Sequence, residues 1–204
     1  MNLFAIMDAM ETLKDLPILF FASQPEWHNW LTENYSDPAG VWLKFAKKAS
    51  GIESINHSLA LDEALCFGWI DGQASPYSAD TKTYYLQKFT PRRARSMWSK
   101  RNIEKVAELT SAGRMQPPGQ TEIDRAKDDG RWDQAYDTPT NMTVPGDFVA
   151  ELEKHPQAKA FYATLNKTNT YAILWRLQTA RKPETRAVRM QKLIAMLDEG
   201  KKLH

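Results

Sequence analysis

One aspartate and a set of arginines, held in two short stretches, are the side chains whose chemistry is most specific in this chain. Asp71 lies in ALCFGWIDG, Ala64 to Gly72, and the arginines lie in TPRRARSMWSKRN, Thr90 to Asn102. A carboxylate that follows Trp69 and Ile70 at a predicted strand start is partly withdrawn from water. An unpaired charge there is costly, so a partner is expected. Arg92 or Arg93, returning on the neighbouring strand end, is the natural one. Asp71 then reads as half of a structural ion pair, as a ligand-binding carboxylate, or as a catalytic acid. No second acid stands at a fixed local spacing to complete a general acid–base pair.

Guanidinium forks suit phosphate and carboxylate groups. Ser96, Ser99 and the N–H groups that open the following helix could add donors to the same anion. Trp69 and Trp98 flank the polar motif and could wall a pocket. The candidate ligand-binding set is therefore Trp69, Asp71, Arg92, Arg93, Ser96, Trp98, Ser99 and Asn102, converging at a strand-to-helix junction and taking a small anion. A second reading uses Arg92, Arg93, Arg95, Lys100 and Arg101 to follow a nucleic-acid backbone, with bases stacked on Trp98. The plainest reading is a solvated face with one or two arginines pairing to core acids.

Other site chemistries lack their residues. His28, His57, His155 and His204 are scattered, with no His-x3-His, no cysteine pair and no Asp-rich loop, so no metal site is expected. No P-loop, Gly-x-Gly-x-x-Gly or Gly-x-Ser-x-Gly pattern occurs, and no cofactor is expected. Cys66 falls at the apolar end of a helix and reads as a small core residue. Most of the seven tryptophans fall on predicted apolar faces and read as core.

The elements that must position these groups can be read from periodicity and punctuation. Ser23-Gln24-Pro25-Glu26 has the capping-box pattern and opens a helix to about Asn34 with Trp27, Trp30 and Leu31 on one face. Val41–Ala46 reads as a strand. Asn56 caps a helix carrying Ala60, Leu61, Ala64 and Leu65, which Gly68 ends. Trp69–Tyr77 and Thr83–Phe89 read as a hairpin. Beyond Pro91 the pattern is helical: one helix capped by Ser99, one led by Pro117, and four more after residue 144, two of them opened by Pro145 and Pro183.

The expected fold is α+β and mostly helical, with a small antiparallel sheet of about three strands packed on helices and a helical C-terminal part. Its divisions are an N-terminal extension at 1–22, an α+β domain at 23–136, a linker at 137–144, and a helical domain at 145–204.

Bulk properties bound the rest. The 204 residues carry a net charge of +2, one cysteine and 42% hydrophobic residues. The longest apolar runs are far short of a membrane span, and the N-terminus is a poor signal peptide, so a soluble, cytoplasmic protein is expected. The charge is uneven. Lys88 to Arg101 contains no acid, and a second basic region from Arg176 to Lys192 is relieved only by Glu184. Either basic region could pair internally with acidic faces or meet an anionic ligand.

ALCFGWIDG, FTPRRARSMWSKRN, the Gly113-Arg114-Met115 turn and Gly130-Arg131-Trp132 together resemble the YdeI/OmpD-associated family, also called bacteriocin-protection proteins. The tail from about Val144 to Gly200, with KPETRAVRMQKLIAMLDEG, resembles that family's C-terminal domain. The resemblance implies a bacterial-type protein linked to resistance against bacteriocins or cationic antimicrobial peptides. It brings no established reaction and no catalytic residues to carry over. A non-enzymatic protein is the expectation, with an enzyme acting on a small phosphorylated or carboxylated substrate as the alternative.

Overall fold

The structure, a computed structural model, describes residues 11–204. These fall into two compact units. The first runs through Ser96 and resumes at Asn102–Asp133; the second comprises Met97–Arg101 and Gln134–His204.

The first unit is built on a sheet with strands β1 (Thr12–Leu13), β2 (Leu16–Phe20), β3 (Val41–Ala46), β4 (Trp69–Pro76) and β5 (Tyr84–Pro91), in the order β1-β2-β3-β5-β4. The three strands expected from sequence are its β3-β5-β4 portion, antiparallel throughout. The other two come from the segment read as an N-terminal extension. β1 and β2 form a tight antiparallel pair, and β2 runs parallel to β3, with Ile18 opposite Trp42. The extension reading is therefore corrected for residues 12–20; residues 1–10 lie outside the described part. A parallel neighbour requires a crossover, and helix α1 (Gln24–Asn34) supplies it.

Strand alternation sorts the side chains into two faces. Val41, Leu43 and Phe45 of β3 stand opposite Phe89, Gln87 and Tyr85 of β5, and Trp69 of β4 stands opposite Pro91. On this face α1 and α2 (His57–Cys66) pack. The Trp27 ring meets Trp69 at 6.3 Å and Phe89 at 5.8 Å, edge to face, and stacks on Trp30 at 5.2 Å. Three buried indoles of this unit each have a polar acceptor. Trp27 Nε1 donates to Ala60 O (3.0 Å), Trp42 Nε1 to Leu13 O (2.9 Å) and Trp69 Nε1 to Tyr35 O (2.7 Å). Such pairing offsets the desolvation of the ring N–H.

Helix α2 begins as its sequence dictates. The Asn56 side chain accepts from Leu59 N (3.0 Å), and Gly68, at φ 76°, takes the left-handed turn after the helix. Helix α1 differs from the capping-box expectation. Ser23 makes no side-chain cap bond, and Glu26 reaches past it to Ala22 N (2.9 Å). Pro25 at the helix start has no N–H to offer a capping oxygen.

After α3 (Lys100–Ser111) comes α4 (Pro117–Asp128), which lies against the end of α2. Gly119 makes this possible: a Cβ there would stand 2.1 Å from Cys66 O. A side chain on Gly68 would likewise meet Pro118 O at 2.9 Å. The approach is locked by Gln116 N donating to Cys66 O (3.1 Å).

The second unit is helical, with α5 (Gly146–Lys154), α6 (Pro156–Tyr162), α7 (Lys167–Gln178) and α8 (Pro183–Asp198). Its core gathers Phe148, Leu152, Ile173, Leu177, Leu193, Ile194 and Leu197. Asp198 on α8 ties α6 in place through Ala158 N (2.9 Å) and His155 Nδ1 (2.8 Å). The Arg186 fork holds Asp147 through two 2.7 Å bonds. Asp137, the first residue of the expected linker, is held by the Lys100 ammonium at 2.6 Å and by the Gln178 amide. Among the described residues no helix is long and apolar enough to cross a membrane.

Candidate functional site

Asp71 stands where β4 is interrupted. Its register partner is Phe89, and the ladder then shifts between Asp71 and Ala74, leaving a bulge at Gly72-Gln73. The Gln87 amide closes the bulge by donating to Gly72 O (2.6 Å). The carboxylate, on the helix face, meets His57 at the start of α2: His57 Nε2 lies 3.0 Å from Asp71 Oδ2. The imidazole itself packs beside the Phe45 and Phe89 rings, at 6.2 and 6.3 Å. A hydrogen bond to a carboxylate requires Nε2 to carry the proton, so in the neutral ring Nδ1 is the acceptor.

The expected Asp71–arginine pair is thus replaced by an Asp71–His57 pair, and hairpin geometry explains why. Arg92, one residue past β5, donates its N–H to Gly68 O (2.9 Å) in the turn that precedes β4. The Arg92 side chain lies past the strand end, in the wall of a groove that Asp71 does not line. Neither basicity nor proximity in sequence can overcome that.

The remaining candidates disperse in an ordered way. Trp69 is fully buried within the aromatic core. Arg93 and Ser96 close a small turn, with Arg93 N donating to Ser96 Oγ (3.0 Å) and Ser96 N to Arg93 O (2.9 Å); the Arg93 side chain is exposed. Ser96 O accepts from Arg131 Nη1 (2.7 Å), and Arg131 Nε is held by the Asp129 carboxylate. Asn102 is buried on α3. Trp98 and Ser99 belong to the second unit, where Tyr136 N donates to Trp98 O (3.0 Å) and Ser99 bridges Tyr136.

Two of the candidates share a concavity. A groove of about 530 Å³ opens beside the Gly68 turn, with Trp69 and Arg92 in its wall together with Tyr35, Phe67, Pro118 and Thr121. Arg92 is sunk into that wall at 6% exposure. The groove also meets the N-terminal turn of α4, whose helix dipole favours negative charge, and Glu122, paired with Arg125, lines it too. A cation and a helix start on an aromatic and proline-rich wall can hold a compact anion with an apolar body.

The basic run is not uniformly exposed. Arg92 is buried, Lys100 is paired to Asp137, and Trp98 at 1% exposure offers no ring to a base; Arg93, Arg95 and Arg101 remain exposed.

A second polar centre escaped the reading of the sequence. Glu63 on α2 is 5% exposed and receives the Gln24 amide, the Arg114 guanidinium and His28 Nδ1, the last at 2.8 Å. Burial alone raises its carboxyl pKa, but the bonds from His28, Gln24 and Arg114 outweigh it and hold the group below the ordinary carboxylate value. One turn on, Cys66 is pushed up to about 12 by burial and by the Glu63 charge, so it is a thiol and a poor nucleophile. The sequence signal for this centre was present: an acid at position 63 on an otherwise apolar helix face requires partners. Among the described residues no group of three or more His, Cys, Asp and Glu side chains gathers as a metal site would require.

Comparison with known families divides the chain at a similar place. Residues 19–122 match the model of a domain of unknown function, DUF8412, and residues 141–200 match the model described as bacteriocin-protection, YdeI or OmpD-associated. No curated protein and no solved structure matches the chain.

Proposed function

We infer the function from family and groove together: the chain belongs to the DUF8412 family and carries a YdeI/OmpD-associated bacteriocin-protection domain at 141–200. It is a cytoplasmic, non-enzymatic protein that contributes to resistance against bacteriocins or antimicrobial peptides, and it does so by binding a small anionic ligand beside the GWIDG and TPRR motifs. The observation that carries this reading is Arg92, sunk in the wall of the 530 Å³ groove at the N-terminus of α4. A guanidinium largely withdrawn from water attracts an anion more strongly than one in the solvent.

The test is a thermal-shift screen of nucleotides, sugar phosphates and carboxylates against the native chain and Thr121→Trp, which fills the groove from an exposed helix position. A ligand at a hundred times its dissociation constant stabilises by about 2.7 kcal/mol. The shift should vanish in Thr121→Trp and survive in Asp71→Asn and Arg93→Ala, whose side chains lie outside the groove. A shift indifferent to Thr121→Trp, or no shift with any anion, would sink the reading.

A second reading rests on the His57–Asp71 pair. An imidazole oriented by a carboxylate is a general-base arrangement, and it would serve an enzyme acting on a small phosphorylated or carboxylated substrate. Turnover abolished by His57→Gln but retained in Thr121→Trp would favour it over the groove.

A further inference from the structure

The second unit holds a pocket that the foregoing reading leaves unused. It lies between α7 and α8, has a volume of about 410 Å³, and is walled by Trp175, Leu193, Met196 and Leu203. Three cations, Arg176, Arg189 and Lys192, line it as well. The volume lies within the range of small-molecule sites.

The charges are the informative feature. The ion pairs of this unit engage other cations, and among the described residues none of the three is paired with a carboxylate. Two are nevertheless fixed in direction. Arg176 Nη1 donates to Ala172 O (3.0 Å), and Arg189 Nη1 donates to Arg176 O (2.7 Å) and Thr179 Oγ1 (3.2 Å). A guanidinium has five N–H donors, so each retains several for a ligand. Like charges gathered around one apolar cavity repel one another, and an anion seated among them relieves that repulsion. The walls demand that the anion carry an apolar body.

We propose that this pocket binds an amphipathic anion: a single aliphatic or aromatic group bearing one carboxylate or phosphate, its apolar part against Trp175, Met196 and Leu203 and its charge between Arg176, Arg189 and Lys192. The proposal is independent of the groove in the first unit, which involves other residues.

Calorimetric titration of the full chain tests it, with sodium decanoate as the anionic probe, decyl glucoside as the neutral apolar control and sodium sulfate as the anion without a tail. Decanoate should bind at one site, at least tenfold more tightly than either control, and more weakly as salt rises. Lys192→Glu, at an exposed position, should weaken decanoate about tenfold with an unchanged circular dichroism spectrum. Met196→Trp should abolish binding by filling the cavity. Decyl phosphate in place of decanoate distinguishes a preference for phosphate from one for carboxylate; either preference supports the site. Equal affinity for decanoate and decyl glucoside, indifference to Lys192→Glu, or binding only to phosphatidylglycerol vesicles with none to free decanoate would overturn it.

Discussion

The Glu63 carboxylate is the residue on which the first unit's polar interior depends. It is nearly inaccessible, and its three partners come from α1 and from the turn after α3. Glu63→Ala should cost about 2–3 kcal/mol in urea unfolding, less than the roughly 3–5 of a wholly enclosed pair, because Arg114 and His28 still reach water. Its pH dependence has a definite sign. The folded pKa lies below the unfolded one, so the stabilisation is complete above the unfolded carboxylate value, about 4.3, and is lost as pH falls through the lower folded value. Glu63→Gln should flatten that acid limb of the stability curve; an unchanged limb would show that other carboxylates set it. Cys66 gives a companion prediction. With its pKa pushed up to about 12, the native thiol should resist a disulfide reagent at pH 8 and react only as fast as the chain opens. Reaction at the rate of a free thiol would contradict the burial described above.

At the scale of elements, the cap at α2 and the missing cap at α1 make a matched pair. Asn56→Ala removes a formed cap bond and should lower stability by about 1 kcal/mol. Ser23→Ala removes none and should leave the thermal midpoint unchanged. Gly119→Ala is sharper still. Alanine normally gains about 1 kcal/mol over glycine within a helix, yet here the added carbon meets the Cys66 carbonyl, and a net loss of about 2–3 kcal/mol is expected from forced separation of the two helices. A stabilised Gly119→Ala would mean that α4 does not lie where it is described.

These elements also show what could be read in advance. The limits of α2 were legible because Asn56 and Gly68 act within their own turns. The β4–β5 hairpin was legible because its connection is short and polar. Strand β2 was not, since LPILF includes a proline and pairs with β3 only after the chain has passed through α1. The partner of Asp71 was missed for the same reason. His57 arrives through the packing of α2 on the sheet, whereas the arginines are close only along the chain. Nothing local would have supplied His57.

On the scale of the whole molecule, the buried apolar cluster of the second unit is drawn from residues 148–197, with Met142 and Leu203 packed against it. A fragment of residues 134–204 should therefore show helical circular dichroism and a cooperative melt, though such a small core is marginal. Leu197→Ala in that fragment should abolish the transition, given a cost of about 2–5 kcal/mol for emptying a buried leucine position. A fragment that stays unfolded would mean that the cluster requires Met97–Arg101 or the first unit.

Among the described residues the sheet of the first unit ends at β4, and there the irregularity at Gly72-Gln73 has a consequence for the protein's life among its own copies. An unpaired outer strand invites a foreign strand to extend it, and a local kink deprives the visitor of a straight template. Excising one residue at that kink should straighten the margin, and concentrated protein should then turn to filaments that bind amyloid dyes.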